Sequence, residues 1–318
     1  MYLHLVEHVR ALRGGSEPHL MRASDGYLYV VKFQDNPQGS RVLANELLAS
    51  RLAQQLGLPV AQAEILELPP KLAATLYFET PTGSRRISPG LQVGLRLVIS
   101  PIEGRIYDFL PRAYADQIRN KEYFSGIQIF DLWTCNRDTR QAVYWKRSQQ
   151  KKFTVTFIDN GHCFGGPNWK LPASITADSL PSVEERSYWL AKLDSLSPCL
   201  ISHLADEIPP EWYWNDIGGL YGMLAQLVVR RADMRCLLAA SRQTERQVTP
   251  ERIAATRREP FASHVLLEEV QVVRDADLSV TNSQFPLGRL QVEELSASCP
   301  TMEAKPTRVQ RNKFPIGA

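Results

Sequence analysis

The sequence predicts an α+β protein with two lobes, a β-rich N-lobe and a helical C-lobe, followed by a disordered C-terminal tail. Short runs rich in Val, Leu and Tyr, bounded by turn residues, dominate the start of the chain. Apolar residues at helical spacing dominate from 183 to about 240. The final stretch is charged and then rich in Ser, Thr and Pro, which is typical of disorder. We therefore expect an N-lobe at 1–110, a C-lobe at 111–245, and a charged extension with a disordered tail at 246–318.

The N-lobe begins with a predicted β-hairpin followed by a helix. The hairpin is HLMRASDGYLYVVKF (His19–Phe33), in which two apolar runs flank a Ser-Asp-Gly turn. The helix is SRVLANELLASRLAQQLGLPV (40–60), where leucines recur at helical spacing and a glycine and a proline mark the end. Two further strands are predicted in AEILEL (Ala63–Leu68) and GLQVGLRLVIS (Gly90–Ser100), and the segment PIEGRIYDFLP (101–111) is predicted to be a loop.

The C-lobe is predicted to consist of helices around one strand. Ala113–Trp133 should form one or two helices, with GIQIFDLW as the apolar face. The segment KKFTVTFID (Lys151–Asp159) alternates and ends in an acid, which predicts a half-buried strand. Gly161–Ser182 is rich in Gly, Pro, Ser and Thr and predicts a long loop. Helical patterns resume from Val183 to about Ala240.

Charge, cysteine content and hydropathy exclude several classes of protein. The chain has 37 basic and 34 acidic residues and a formal charge of +3, a balance that argues against a nucleic-acid partner. Its five cysteines form no CxxC pair and are odd in number, which argues against a disulfide framework or a zinc knuckle. No apolar run approaches the roughly 18 residues of a membrane span, and the N-terminus lacks a signal-peptide core. We expect a cytoplasmic protein with no membrane partner.

Two charged residues of the N-lobe can form an ion pair. Lys32 lies within the strand YVVKF, and Glu46 lies in the helix that follows, beside the small residues Ala49, Ser50 and Ala53. Each could simply face solvent. A strand lysine followed by a helix glutamate is, however, the arrangement by which kinases hold ATP phosphates, because the ion pair fixes a flexible ammonium group.

A glycine turn precedes the hairpin. It is RGGSEPH (Arg13–His19), in which Gly14, Gly15 and Ser16 can bring backbone N–H groups close to an anion. An ordinary loop is the alternative for this segment taken alone. The Walker pattern GxxxxGK[ST] is absent from it, so we do not expect a P-loop NTPase.

Two aspartates, Asp138 and Asp159, lie on either side of the strand predicted in the C-lobe. Phosphoryl transfer needs one carboxylate to orient or deprotonate the attacking hydroxyl and another to hold the metal ion. A loop followed by a strand that returns to the same cleft would supply both. The alternative is that Asp138 makes a turn and Asp159 caps the next loop.

Five segments, taken in chain order, resemble motifs of the HipA-like kinases. They are GGSEPH, YVVKF, NELLASRLAQQLGLPV, CNRDTRQ and FIDNG. The resemblance spans roughly Leu3–Leu238 and implies a two-lobed protein-kinase-like fold, related to that of phosphoinositide kinases. It implies an ATP-dependent kinase that transfers the γ-phosphoryl group to a hydroxyl, of Ser or Thr in a protein acceptor. A nucleotide-binding pseudokinase scaffold and a small-molecule or lipid kinase of the same fold stay open as alternatives.

The resemblance also implies ATP and Mg²⁺ as cofactors and a role for each residue of the nucleotide site. Lys32 would contact the ATP phosphates, and Glu46 would hold Lys32 in place. Asp159 would bind Mg²⁺. The backbone of the glycine turn would cover the phosphates, through Gly14, Gly15 and Ser16.

The catalytic loop carries the departures from the family pattern. Asp138, in an NxD element with Asn136, resembles the catalytic aspartate. The family pattern is NxDRHxxN, and its last Asn binds a second metal ion. Val143 stands at that position here. Gln141 can replace it through its amide oxygen. Arg140 occupies the histidine position and would neutralise phosphate charge.

The long loop of the C-lobe offers hydroxyl groups that could themselves accept phosphate. The candidates are Ser174, Thr176, Ser179 and Ser182. Toxin members of the family carry an additional N-terminal region, so a toxin role is not carried over to a chain that begins almost at its glycine turn.

Overall fold

The computed structural model describes residues 2–80, 83–174, 177 and 179–245. The predicted disordered tail at 246–318 and Thr176 lie outside the described residues. Strands dominate the first part of the chain and helices the second. The α+β class, with a β-rich N-terminal part and a helical C-terminal part, is confirmed.

Five strands of the N-lobe close into a small barrel. In chain order, the elements are β1 (Leu3–Ala11), β2 (His19–Ala23), β3 (Leu28–Lys32), α1 (Arg41–Gln55), β4 (Ala63–Leu68), α2 (Pro70–Ala73), β5 (Tyr77–Thr80), β6 (Gly83–Arg86) and β7 (Gly90–Arg96). The barrel order is β1-β2-β3-β7-β4, and β5 and β6 form a separate hairpin. Only the β1–β4 contact is parallel among these barrel pairs. The predicted hairpin and the strand at Ala63–Leu68 are therefore present.

The barrel wall separates two apolar cores. Leu66 and Leu68 of β4 face the barrel interior, together with Met21 and Val31. Ala63, on the other side of β4, belongs to a larger core that continues into the C-lobe. This division follows from the period of two along a strand, which sends alternate side chains to opposite faces.

Helix α1 lies against the outside of the barrel and is buried on nearly every side. All residues from 42 to 50 are buried, including Asn45, Glu46 and Ser50. The leucine spacing predicted the helix, but it did not predict that polar residues on the opposite side would also be covered. The C-lobe covers that second side, as shown by Asn45, whose Nδ2 donates to Gly161 O at 2.9 Å.

The chain after β7 contains five strand or helix elements that the sequence predicted and two strands that it did not. In chain order it comprises β8 (Gly104–Tyr107), a 3₁₀ turn (Arg112–Gln117), α3 (Tyr123–Thr134), β9 (Gln141–Arg147), β10 (Thr154–Ile158), α4 (Val183–Asp194), α5 (Pro198–Ala205), a second 3₁₀ turn (Pro210–Tyr213) and α6 (Ile217–Glu245). The loop prediction for 101–111 was wrong at β8, and β9 was not predicted. Strand β8 has only four residues, and β8 and β9 each carry an exposed arginine.

Strand β10 is more buried than its alternation predicts. Its sheet has the order β10-β9-β8, so β10 is an edge strand of that sheet. The chain segment from Pro59 to Ala61 covers this edge, because Phe157 N donates to Pro59 O at 2.8 Å and Ala61 N donates to Phe157 O at 3.1 Å. Thr154 and Thr156 are consequently buried along with Val155 and Phe157, and the expectation of a half-buried strand was wrong.

The two lobes share one apolar core. It includes Leu47 of α1, Val93 of β7, Trp133 of α3 and Phe157 of β10. Trp212 adds a polar link, since its Nε1 donates to Leu91 O at 2.9 Å. Within the described ranges, no helix combines the length and hydropathy that crossing a bilayer requires. The predicted lobe boundary near residue 110 stays a prediction.

Candidate active site

Three charged residues that are distant in sequence meet between the lobes. Lys32 ends β3, Glu46 lies in the second turn of α1, and Asp159 directly follows β10. Lys32 Nζ lies 2.6 Å from Glu46 Oε2 and 2.7 Å from Asp159 Oδ1. Lys32 and Glu46 are buried, whereas the Asp159 side chain keeps 25% of its surface exposed. The site therefore opens to solvent on the side of Asp159.

Electrostatic pairing keeps these groups ionised despite their burial. Burial alone would lower the pKa of Lys32, but the carboxylates of Glu46 and Asp159 outweigh it and raise that pKa above its ordinary value. Burial would raise the pKa of Asp159, and the ammonium of Lys32 instead holds it below the ordinary value. Both groups are consequently charged at neutral pH.

Gly161, which follows Asn160, stands at a position where only a small residue fits. A Cβ atom on Gly161 would lie 2.5 Å from Val42 Cγ1 and 3.6 Å from Lys32 Nζ. The glycine lets the chain pass between the start of α1 and the lysine. This close approach gives a physical reason for the glycine in the FIDNG segment.

Asp159 has both of its carboxylate oxygens occupied. Its backbone adopts φ 63°, in the left-handed region that non-glycine residues rarely use. Oδ1 binds Lys32, and Oδ2 accepts a hydrogen bond of 2.9 Å from Gln141 Nε2. The structure therefore brings Gln141, the candidate metal ligand, next to the candidate metal-binding carboxylate.

The loop after α3 presents Asp138 to solvent. The helix ends at Cys135, whose φ of 53° turns the chain out of the helical path. Asp138 N donates to Asn136 Oδ1 at 3.2 Å, and Thr139 N donates to Asp138 Oδ1 at 2.8 Å. Asp138 is exposed, so one of its oxygens stays accessible to a substrate hydroxyl.

Arg140 points into the protein. Its guanidinium forms a two-pronged ion pair with Asp131 of α3, in which the Nε to Oδ2 distance is 3.0 Å. Burial opposes the charge on this group, but the hydrogen bonds to Asp131 outweigh it and raise the pKa further above its ordinary value. Its described contacts are all with protein oxygens, so contact with a phosphate stays a prediction.

The glycine turn joins β1 to β2, next to the strand that carries Lys32. Glu17 N donates to Gly14 O at 3.0 Å, which closes the turn, and Ser16 is buried. A Cβ atom on Gly15 would lie 2.8 Å from Gln38 Nε2. The turn therefore lies close to the segment between β3 and α1, and a phosphate role for Gly14, Gly15 and Ser16 stays a prediction.

A protein-family model for the HipA-like kinases matches residues 6–227. The chain belongs to the HipA-like kinase family. Family membership makes it a phosphotransferase and confirms the resemblance predicted from the sequence. Among curated proteins, none matches the chain.

Solved structures support the kinase fold. The proinflammatory kinase CtkA of Helicobacter pylori superposes with a TM-score of 0.50 at 12% identity, over 74% of this chain and 97% of that chain. HipA in the complex of the Shewanella oneidensis MR-1 toxin–antitoxin system with HipB and operator DNA gives a TM-score of 0.47 at 14% identity, over 74% and 67%. The first similarity shows the fold of this HipA-like kinase, and the second is too weak to carry an argument.

Two residues of this candidate site were not predicted from the sequence. Asp131 binds Arg140, and the buried side chain of Asn160 contacts α1 through Ser50. The signal for Asp131 was a lone acid within the apolar run GIQIFDLW. Asn160 stands inside FIDNG, but its contacts are with Glu46 and Ser50, which are distant in sequence.

Proposed function

We propose that this HipA-like kinase transfers the γ-phosphoryl group of Mg²⁺-bound ATP to a hydroxyl of Ser or Thr in a protein. The observation that carries the proposal is the meeting of Lys32, Glu46 and Asp159 in one partly open site. A lysine fixed by a glutamate is suited to bind ATP phosphates, and an exposed edge of a carboxylate is suited to bind a cation.

The charges and donor atoms of the site fit a divalent cation. Two cations, Lys32 and Arg140, face three carboxylates, Glu46, Asp131 and Asp159, which leaves one net negative charge. Among the described residues, no group of three or more His, Cys, Asp or Glu side chains can hold a metal ion by itself. Mg²⁺ in nucleotide sites needs only one or two protein carboxylates, because phosphates and water complete its coordination.

The contacts of Asp159, Gln141 and Asp138 support the roles proposed for these three residues. Asp159 and Gln141 would hold Mg²⁺, which supplies charge neutralisation of the phosphates when bound. Rotation of the Gln141 amide by about 180° would exchange its NH₂ group for its oxygen. Asp138 would accept or orient the proton of the attacking hydroxyl, with Asn136 shaping its loop.

Two substitutions test this proposal. Asp138→Ala should keep ATP binding and lose roughly 10²-fold or more of the transfer rate, as expected on removal of a positioned base. Asp159→Ala should weaken Mg²⁺-dependent ATP binding. Thermal shift with ATP and Mg²⁺ measures binding, and transfer of labelled γ-phosphate to protein measures turnover.

Asp116→Ala is the matched control for both substitutions. Asp116 has a 99% exposed side chain that makes a surface contact of 3.6 Å with Lys121, so its removal should change neither binding nor turnover. Undiminished turnover in Asp138→Ala would reject the proposed base.

One observation favours a second function, that of a nucleotide-binding pseudokinase scaffold. Val143 lies on β9, beside Thr156 of β10, and its side chain has no atom that can bind a metal ion. If the wild-type protein shows a thermal shift with ATP and Mg²⁺ but transfers no phosphate, the scaffold is the better conclusion.

A further inference from the structure

One carboxylate ties both ends of the loop that carries Asp138. Asp131 Oδ1 accepts from Asn136 Nδ2 at 3.1 Å, just before Asp138. The same carboxylate binds the guanidinium of Arg140, just after Asp138. Because both contacts go to a residue of α3, the loop has little freedom to move relative to that helix.

Arg140 continues the connection to the end of β10. Its Nη1 donates to Ile158 O at 2.9 Å and to Asn160 Oδ1 at 2.8 Å. A third, longer contact of 3.4 Å reaches the carbonyl oxygen of Asp159. These acceptors surround Asp159 in the chain, at the position where its backbone takes the left-handed conformation.

Asn160 completes the connection to α1. Its backbone N donates to Glu46 Oε1 at 3.0 Å, and its Nδ2 donates to Ser50 Oγ at 3.0 Å. The other oxygen of Glu46 binds Lys32. Asn160 and Glu46 are both buried, so water does not compete for these bonds.

We propose that Asp131, Arg140 and Asn160 are positioning residues that hold the catalytic loop and the metal-binding aspartate in register with the Lys32–Glu46 pair. This inference rests on the proposed function, and it assigns Arg140 to orientation of Asp159 rather than to phosphate binding. Arg140 directs its Nε, Nη1 and Nη2 groups at protein oxygens and is held from two sides. A planar guanidinium can satisfy all these acceptors at once, and a lysine ammonium cannot.

A double-mutant cycle tests the proposal, with Asp131→Asn, Arg140→Gln and the combined variant. Each single substitution should lower kcat about 10–100-fold, as expected when the partner that orients a metal ligand is lost. The Mg²⁺-dependent affinity for a nonhydrolysable ATP analogue should fall, while the affinity measured without Mg²⁺ should not change. The combined variant should lose little more than either single one, because the two residues act through one contact.

Arg51→Gln is the matched control. Arg51 also joins elements through an ion pair, at 3.0 Å to Glu207, and a hydrogen bond to Ala63 O, but it does not touch the site. Arg51→Gln should lower Tm about as much as Arg140→Gln does. It should leave kcat and the Mg²⁺-dependent affinity for the nucleotide near the wild-type values.

The outcomes separate this inference from the proposed function. If the wild-type protein binds no Mg²⁺–nucleotide, the proposed function fails and the positioning role fails with it. If wild type binds and transfers, but Arg140→Gln changes kcat no more than Arg51→Gln does, only the positioning role is rejected. If the losses of the two single substitutions multiply in the combined variant, the shared contact is rejected.

Discussion

The ammonium of Lys32 illustrates what can be derived from single residues. A charged group buried between lobes is costly unless it is paired, so a lysine within an apolar strand requires partners. Glu46 could be proposed as one such partner from its residue type and its position in the chain, whereas Asp159 was predicted as a metal ligand and its ion pair with Lys32 was not predicted. Asp131 and Asn160 could not be proposed as site residues, because their importance depends on Arg140 and Ser50, and no local pattern announces which distant groups a folded chain will bring to them.

His19, the last residue of the glycine turn, should make folding pH-dependent. Its ring is buried and packs against His8 at 4.9 Å and Phe33 at 5.0 Å between centroids. Burial, with a smaller contribution from His8, lowers its pKa from 6.5 to about 4. The unfolded chain therefore binds a proton more readily than the folded one between these pH values, and stability should decrease as pH falls from about 6.5 to 4.

His19→Phe keeps the ring packing and removes the proton site. The free energy of unfolding is measured in urea at pH 7.5 and at pH 4.5. Between these pH values the wild type should lose up to about 3 kcal/mol more of it than the variant does. If wild type and variant lose equal stability on acidification, His19 does not titrate as described.

At the scale of elements, α1 departs most from what its sequence suggests. An amphipathic pattern predicts one buried face, and a surface helix would expose the other. Here the second face meets the C-lobe, so Asn45 is buried and donates to Gly161 O at 2.9 Å and Cys163 O at 3.1 Å. The periodicity of apolar residues in a helix predicts that one of its faces is buried. Whether the other face is buried as well depends on how the other lobe packs against the helix.

The first residue of α1 should anchor the helix to the C-lobe. The Arg41 guanidinium lies 4.3 Å from the ring centroid of Trp169 and 4.8 Å from that of Trp214. Its Nη2 also contacts Asp216 Oδ2 at 2.6 Å. Both tryptophans have left-handed backbones, a conformation that costs about 1 kcal/mol or more and that stacking on the cation helps to offset.

Arg41→Gln should lower the free energy of unfolding by about 1–2 kcal/mol, measured by urea denaturation. Arg22→Gln serves as the control, because Arg22 pairs with Glu7 at 2.8 Å on the surface and exposed pairs contribute about 0–1 kcal/mol. Equal losses in the two variants would show that stacking on the tryptophans contributes nothing measurable.

At the scale of the whole molecule, the two predicted lobes share a packed core. Strands β3 and β4 each have residues in or against both cores, so they connect the barrel interior to the shared core. Composition and motif order predict two lobes because strands and helices are segregated along the chain. They do not predict cooperativity, which depends on the packing of α1 between the lobes.

The tryptophans allow a direct test of that cooperativity. All six lie between residues 133 and 214, within the C-lobe, so their fluorescence reports the unfolding of that lobe and of its contacts with Leu91 and Arg41. Leu66 is fully buried in the barrel interior. Leu66→Ala should cost about 2–5 kcal/mol through lost burial and the cavity that remains. If the lobes unfold together, the fluorescence transition should move to a lower urea concentration, by a shift that corresponds to the whole loss of about 2–5 kcal/mol in the free energy of unfolding.

Ile201→Ala is the matched control within the C-lobe, because Ile201 is fully buried in the shared core. In both variants the fluorescence transition should coincide with the transition seen by far-UV circular dichroism, which reports both lobes. A fluorescence midpoint that stays at the wild-type value in Leu66→Ala, with an earlier phase in circular dichroism, would mean that the lobes unfold separately. In that case α1 would not couple the unfolding of the two lobes, because its buried contacts would be too weak to pass the loss of stability in the barrel on to the C-lobe.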